Sequence, residues 1–231
     1  MRTGSLLAVC IVHGLLPTKD ATGVTAIDKR PADGPVKVHP LGLTGDLQAS
    51  RKHHGGESKA LYAYSQADAE YWERELGRDI PPGLFGENLR IDGLDATSAL
   101  IGQRWRIGAE VEVEVTCPRT PCRNFQRRME VPNWARRFGE AGLVGTYLRV
   151  RRRGSICAGD TVEVLTVPSH GVSVRDVFRG LDEEQAAALR ASRDAGEITL
   201  SPEILKVLRT LDAKAAAKPE APGQQTVPAG A

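Results

Sequence analysis

The sequence predicts a mainly β fold, a closed or nearly closed β-barrel with peripheral helices and a small C-terminal helical appendage. As far as residue 168, short apolar or alternating runs are separated by clusters of Gly, Pro and Asp, a spacing typical of barrel strands. Beyond it the pattern changes to amphipathic helical segments, and apolar periodicity then ends. We therefore expect a barrel domain over 1–168, a three-helix appendage over 169–212 and a disordered tail over 213–231.

The first predicted strand covers residues 6–12, an apolar run that His13 interrupts. This run is far shorter than the about 20 residues of a membrane span, and it lacks the longer apolar core and cleavage site of a signal peptide. A buried strand explains it better. Further strands are expected at 23–27, 36–38, 89–91, 105–107, 111–115, 145–153 and 160–165. Val and Glu alternate strictly in 111–115, which predicts that this strand exposes one face.

Helices are expected beside the barrel and in the appendage. Ser65 stands at an N-cap position and Gly77 at a C-cap position, which bounds a helix over 67–76. A second helix-like segment covers 134–138. The appendage should contain helices over 173–178, 182–192 and 201–211, which open on the N-cap residues Ser173, Asp182 and Ser201.

Composition limits the classes of function. The chain of 231 residues has an ordinary 41% hydrophobic content, and its net charge of +2 gives no reason to expect nucleic acid as a partner. No apolar stretch is long enough for a membrane helix. The four cysteines are scattered rather than spaced as a disulfide framework, so we expect a reducing compartment, the cytoplasm.

Two segments carry the residue types that chemistry needs. Cys122 follows a stiff segment with two prolines, and a thiolate on a rigid loop suits a soft metal or a redox reaction. The segment 45–60 is too polar and too rich in glycine to be core, and Gly55 and Gly56 allow the close backbone approach of an anion-binding turn. Together they predict a site for an anionic ligand that carries a metal.

Other residues have a functional interpretation beside an ordinary one. Arg119 could contact a phosphate or be a surface cation, and Lys59 could carry phosphate charge or be solvated. Asn88 could bind a pterin edge through its paired donor and acceptor, or bond its own turn. Cys117 could pack at the end of its strand, or form a tetrahedral zinc site with Cys122, His53 and His54. Arg149, Arg151 and Arg153 share one strand face, which is either solvated or steers substrate.

Seven separate motifs follow one another along the chain. They are Gly45-Asp46-Leu47-Gln48, His53-His54-Gly55-Gly56-Glu57-Ser58-Lys59-Ala60, Tyr62-Ala63-Tyr64, Gly83-Leu84-Phe85-Gly86-Glu87-Asn88-Leu89, Pro118-Arg119-Thr120-Pro121-Cys122, Gly145-Thr146-Tyr147-Leu148-Arg149-Val150 and Gly159-Asp160. In this order they resemble the signatures of MOSC-domain proteins, the molybdenum cofactor sulfurase C-terminal family. The resemblance covers about residues 5–168, and the helical tail resembles that of the YiiM-like branch.

The resemblance implies a β-barrel that holds the molybdenum cofactor (molybdopterin), with a cysteine thiolate on the metal. It also implies reduction of N-hydroxylated compounds, as in the detoxification of hydroxylaminopurines. By motif match, Cys122 is the metal ligand and catalytic residue. The cofactor-binding residues implied are His53, His54, Gly55, Gly56, Lys59, Asn88, Arg119 and Cys122.

The expected partner protein is an electron donor. No flavin or nicotinamide motif is present, so electrons are expected from a flavodoxin- or ferredoxin-type reductase protein. The alternative function is a non-catalytic molybdenum cofactor carrier or sulfur-handling module. The sequence leaves open whether the helical tail binds the electron donor, forms a homodimer or only covers the barrel.

Overall fold

The structure is a computed structural model and describes residues 2–19, 22–48 and 55–217. Its strands are β1 (Thr3–Pro17), β2 (Val24–Pro31), β3 (Val36–His39), β4 (Gly42–Leu43), β5 (Leu61–Ser65), β6 (Leu89–Asp92), β7 (Arg104–Ile107), β8 (Val111–Pro118), β9 (Thr146–Arg152), β10 (Gly154–Ile156) and β11 (Thr161–Thr166). Its helices are α1 (Gln66–Leu76), α2 (Arg123–Met129), α3 (Trp134–Ala141), α4 (Val174–Arg179), α5 (Glu183–Asp194) and α6 (Pro202–Ala216), with a 3₁₀ turn at Glu57–Lys59.

A closed barrel is the centre of the fold, as the sequence predicts. The main sheet runs β11-β7-β8-β9-β5-β6-β1-β2, and β11 also pairs with β1, so the strands from β11 to β1 form a ring and β2 extends from β1. Only β5 and β6 pair in parallel among the pairs of this ring. Closure gives every strand of the ring two neighbours and removes exposed edges. A small sheet, β10-β3-β4, lies beside it.

The Val–Glu strand β8 does not expose one of its faces, contrary to the prediction. Its valines face the core, since Val111, Val113 and Val115 are almost fully buried. The opposite face is not exposed, because Glu114 is only 2% exposed. The register aligns Glu114 with Arg149 of β9. This pairing explains why a charged residue is buried there.

Glu114 also corrects the interpretation of the basic run in β9. Its carboxylate accepts hydrogen bonds from Arg149 Nη1 at 2.9 Å and from Arg151 Nε at 2.7 Å. Arg149 is therefore neither a solvated cation nor available for steering substrate, and Arg151 is engaged in the same ion pair. Arg153 alone of the three lies beyond the end of β9, and it is exposed.

Several elements differ from the prediction in extent. Strand β1 is longer than 6–12. Its pairing with β2 continues past His13 to Pro17, with irregularities in the register on the way. Strand β5, with all five residues buried, and the short strands β4 and β10 were not predicted. Neither was helix α2, which begins directly after Cys122.

The helix caps mostly follow the prediction. Gly77 ends α1 in the left-handed conformation with φ of 62°, but the Ser65 side chain does not cap this helix and instead accepts from Ala96 N at 2.8 Å. Ser173 and Asp182 form capping boxes, and Ser201 Oγ accepts from Ile204 N at 3.3 Å.

The C-terminal helices share one hydrophobic core with the barrel, to which Leu189, Ile204 and Leu208 contribute. Helix α6 continues to Ala216, so the prediction that disorder begins at 213 is wrong for its first residues. The rest of that predicted tail, from 218 on, lies outside the described residues. Among the helices that the structure describes, none combines the length and the apolarity that crossing a bilayer demands.

Candidate functional site

A cavity of about 100 Å³ at the barrel gathers many of the chemically active side chains, and we call it the barrel cavity. Of the predicted site residues, it is lined by Cys122, Arg119, Lys59 and Asn88. Gly55 and Gly56 are not among its lining residues. His53 and His54 lie outside the described residues, so their role stays a prediction.

Cys122 is fixed at the start of α2. It occupies the N-cap position in an extended conformation, with φ of −120° and ψ of 172°, and its carbonyl accepts from Gln126 N at 2.9 Å. The helix is anchored by Phe125 and Met129, which are fully buried. Cys122 itself is half-buried, so its thiol is held by a rigid element at the wall of the barrel cavity. This is the environment that a metal thiolate ligand requires.

Arg119 is the second unusual side chain in this wall. It is only 6% exposed, and its guanidinium carbon lies 4.0 Å from the ring centre of Phe125 and 5.1 Å from that of Tyr62. The stacking stabilises the charge by cation–π contact. Its Nη1 atom, however, has no hydrogen-bond partner among the described residues. A buried cationic donor without a partner is costly and marks a place where an anionic ligand would fit.

Burial opposes the charge of Arg119, but Tyr62, Tyr147 and Cys122 outweigh that effect and raise its pKa. The two tyrosines stay protonated. Burial raises the pKa of Tyr62 far above its ordinary value and that of Tyr147 to about 12, although Arg119 acts in the opposite direction on both. Near pH 7 this wall therefore presents a fixed cation and neutral aromatic rings.

Lys59 links the barrel cavity to the C-terminal helices. It ends the 3₁₀ turn, and its Nζ lies 2.7 Å from Glu203 Oε1 in the first turn of α6. The same Nζ lies 5.8 Å from the ring centre of Tyr147. Lys59 therefore lies between the barrel cavity and α6 as a half-buried cation with an acidic neighbour.

The predicted anion-binding turn is only partly available. Gly56 N donates to Gln48 Oε1 at 3.0 Å, and Gln48 Nε2 donates to Lys59 O at 3.1 Å. The Gly56 amide is thus bonded within the chain and does not point at a ligand, which corrects that part of the prediction. Gly56 has φ of 91°, so the turn needs glycine for its backbone conformation. A role for Gly55 stays a prediction.

Asn88 has a structural role instead of the predicted one. Its Nδ2 donates to Cys10 O at 3.1 Å and to Asp46 Oδ2 at 2.8 Å, while its Oδ1 accepts from Tyr62 N at 3.1 Å. Both amide hydrogens are used, so the amide cannot donate to a pterin edge. Asn88 lies in the cavity wall and positions Asp46.

A buried ion pair in the same wall was missed by the sequence reasoning. Lys29 Nζ lies 2.5 Å from Asp46 Oδ2, and these side chains are 10% and 6% exposed. Burial lowers the pKa of Lys29, and Asp46 acts against this effect. The sequence did contain an indication that Lys29 faces inward. Lys29 is two residues from Ile27 in β2, and strand alternation puts both side chains on one face.

The zinc alternative is not supported by the described residues. Cys117 is 1% exposed within β8, and burial raises the pKa of its thiol to about 12. It lines a different cavity from Cys122. In the part of the chain that the structure describes, no group of three or more His, Cys, Asp or Glu could hold a metal ion. The packing role of Cys117 is confirmed.

A model of the MOSC domain matches residues 50–163. The protein YflK of Bacillus subtilis is 34% identical over 151 residues, which are 65% of this chain and 68% of that protein. The chain belongs to the MOSC-domain family. The protein YiiM of Escherichia coli is 34% identical over 146 residues, 62% of this chain and 64% of that one. A protein named reductase from Gibberella moniliformis is 34% identical over 162 residues, but these are only 28% of its length.

Solved structures agree on the fold of this MOSC-domain protein. YiiM from Geobacillus stearothermophilus superposes with a TM-score of 0.70 at 24% identity, over 90% of this chain and 98% of that one. YiiM from Escherichia coli superposes with a TM-score of 0.68 at 22% identity, over 91% and 94%. At these identities the likeness concerns the fold. It confirms the barrel with peripheral helices.

The barrel cavity has the donor set that a molybdenum cofactor needs. The cofactor combines a soft metal, which a thiolate such as that of Cys122 binds, with an anionic phosphate. Arg119 Nη1, which has no partner among the described residues, suits an anion in the same wall, and Lys59 adds a second cation beside it. The residues present therefore fit this group.

Proposed function

We propose that this MOSC-domain protein is a molybdenum-cofactor-dependent oxidoreductase that reduces N-hydroxylated compounds. One observation carries the proposal: the thiol of Cys122 lines the same cavity as Arg119, whose Nη1 has no hydrogen-bond partner in the part of the chain that the structure describes. The family membership and the fungal relative named reductase support an oxidoreductase. The resemblance to the YiiM-like branch supports N-hydroxylated substrates, such as hydroxylaminopurines, and a role in detoxification.

The reaction converts R–NH–OH, two electrons and two protons into R–NH₂ and water. The cofactor, when bound, supplies the two-electron chemistry that cleaves an N–O bond. The chain supplies binding and electrostatics. Cys122 would hold the metal, and Arg119 and Lys59 would hold anionic groups of the cofactor. Asn88 keeps Asp46 against Lys29, so that this buried pair adds no net charge to the wall.

The electrons must come from another protein. We propose a flavodoxin- or ferredoxin-type reductase as the donor, because the sequence carries no flavin or nicotinamide motif. We also propose that the protein works in the cytoplasm, since Cys10 and Cys117 are buried without a disulfide.

The test compares Cys122→Ser with Cys157→Ala, both produced in a host that makes the cofactor. Molybdenum is measured by elemental mass spectrometry and pterin by its fluorescence after oxidation. Turnover of a hydroxylaminopurine is measured with a chemical reductant. We expect Cys122→Ser to lose at least about 90% of its molybdenum and its turnover, because the thiolate is the protein ligand. Cys157→Ala should keep both, since Cys157 lines neither the barrel cavity nor the second cavity beside the C-terminal helices.

Full molybdenum and full turnover in Cys122→Ser would refute the assignment. Full molybdenum and pterin in the wild-type protein without turnover of any N-hydroxylated compound would favour a carrier or sulfur-handling module instead.

A further inference from the structure

The mouth of the barrel cavity carries exposed apolar side chains. Val24 of β2 and Leu47 line the barrel cavity, and both are exposed. Leu15 of β1 is exposed as well, and it precedes Leu16, which pairs with Thr25 of the cavity wall. Large apolar side chains are usually buried, so a group of them at the surface, with polar residues around it, marks a place where another protein binds.

A groove of about 180 Å³ continues from this mouth along α2. Thr25, Ile27 and Asn124 line both the groove and the barrel cavity. The groove is completed by apolar residues of β1 and by charged residues at the end of α2, namely Leu16, Pro17, Arg127, Arg128 and Glu130. Apolar and charged side chains therefore form one continuous surface from the barrel cavity to the C-terminal end of α2.

Four arginines beside the groove form a surface that we call the basic face: Arg30 of β2 with Arg123, Arg127 and Arg128 of α2. The buried Asp28 accepts from Arg128 Nη2 at 2.6 Å, and its other oxygen lies 3.8 Å from Arg30 Nη2. Arg127 donates to Asn124 Oδ1, which carries no charge. Arg123 is exposed and has no ion-pair partner among the described residues.

The basic face keeps an excess of positive charge. Asp28 pairs with two of its arginines and Glu130 lies in the groove beside two of them, so two carboxylates offset two of the four cations. The remaining charge of +2 is as large as the formal net charge of the entire chain. A concentration of cations of this kind attracts acidic proteins and raises the rate at which they meet this surface.

The basic face begins at the candidate metal ligand. Cys122 is the N-cap residue of α2, and Arg123 is the first residue of the helix. The helix has seven residues, so it spans only about 10 Å at about 1.5 Å per residue. Electron transfer between proteins requires redox centres that are close together. A protein that docks on the basic face brings its own redox centre near Cys122.

We propose, building on the proposed function, that the electron donor docks on the basic face and on the apolar mouth formed by Leu15, Val24 and Leu47, and that the donor is an acidic electron-carrier protein. The apolar side chains form the centre of the contact and the arginines its charged rim. Each turnover takes two electrons from the donor, which oxidises one reduced flavin or two reduced iron–sulfur centres, and the two protons come from water. The C-terminal helices are then not the docking site.

The test measures binding of oxidised flavodoxin, an acidic electron carrier, to the full-length protein by calorimetry. Arg127→Glu reverses one exposed charge of the basic face, and Arg209→Glu makes the same change at an exposed position of α6. We expect Arg127→Glu to weaken binding by about fivefold or more and Arg209→Glu to stay within about twofold of the wild type. Binding by the wild type should also weaken between about 0.02 and about 0.2 M NaCl, because salt screens exposed charges.

Leu15→Ser tests the apolar part of the surface without a change of charge, and it should weaken flavodoxin binding at both salt concentrations. Cytochrome c, a basic electron carrier, is the control for charge and should bind much more weakly than flavodoxin. Circular dichroism and thermal melting establish that each variant is folded. If Arg127→Glu does not fold, Arg127→Ala makes the same comparison with the loss of one charge.

Three results would overturn the inference: wild-type affinity in a folded Arg127→Glu protein, equal weakening by Arg209→Glu, or no binding of flavodoxin by the wild type. These outcomes are separate from those of the proposed function, because binding does not depend on turnover. If Cys122→Ser loses molybdenum but Arg127→Glu binds flavodoxin normally, only the docking surface is wrong. If Cys122→Ser keeps molybdenum but Arg127→Glu binds flavodoxin weakly, the docking surface stands and the metal assignment falls.

Discussion

Replacing Arg119 with Met should separate cofactor binding from folding. In the cofactor-free protein the change removes a buried donor without a partner, whose cost is about 1–3 kcal/mol. It also removes the stacking on Phe125 and Tyr62, which contributes about 0.5–2 kcal/mol per ring. These terms oppose each other, so the free energy of unfolding should change by an amount between a gain of about 2 and a loss of about 3 kcal/mol.

Cofactor retention should change much more. If Nη1 of Arg119 donates to an anionic group of the cofactor, its loss removes about 1.5–3 kcal/mol of binding free energy, a factor of about 10–100 in affinity. The assay is urea unfolding of the cofactor-free protein together with molybdenum and pterin content after dialysis. Arg119→Met should unfold near the wild-type midpoint and retain little cofactor.

Arg90→Met is the matched control. Arg90 is 1% exposed, and all three of its guanidinium nitrogens donate to protein acceptors, with Glu87 as its ion-pair partner. Removing it leaves a buried carboxylate unpaired, so we expect a loss of about 3–5 kcal/mol in unfolding free energy. The reasoning is refuted if Arg119→Met destabilises the cofactor-free protein as much as Arg90→Met does, or if it retains the cofactor fully.

Further predictions concern charged groups outside the barrel cavity. Glu114→Gln should lower the free energy of unfolding by about 1.5–3 kcal/mol in urea titrations, because Arg149 and Arg151 lose the charge on their shared acceptor; a change below about 1 kcal/mol would contradict this. Burial, with a smaller contribution from Asp95, raises the pKa of Asp68 from 3.8 to about 6. Because the folded pKa is the higher one, the stability linked to this proton is full below pH 3.8 and is lost as pH rises through about 6. This shift corresponds to about 2–3 kcal/mol of unfolding free energy, so Asp68→Asn should be more stable than the wild type above pH 6. If each of the two proteins has the same stability at pH 5 as at pH 8, this prediction is contradicted.

The sequence predicted the elements whose pattern is local. The valines of β8 and the caps Ser173 and Asp182 are determined by residues a few positions apart, and they are found where they were expected. Strand β5 was missed because all of its residues are buried, so it has no alternation to recognise. The exposure of Glu114 was predicted wrongly because its partners come from another strand.

In the candidate site, too, residues within a local motif were predicted, and contacts between distant segments were not. Cys122 and Arg119 were found because the motif around them resembles a family signature, and the structure brings them to one cavity. Asn88 was given a ligand role because its partners, Cys10 and Asp46, are far away in sequence. Lys29 was missed because its partner Asp46 lies in the loop after β4, where it also accepts a hydrogen bond from Val12 N of β1.

The central claim is that Cys122 and Arg119 hold a molybdenum cofactor. The most direct measurement is the molybdenum and pterin content of the protein purified from a host that makes the cofactor. We expect both at close to one per chain in the wild type, with molybdenum lost in Cys122→Ser. Zinc without pterin, or full molybdenum in Cys122→Ser, would contradict it.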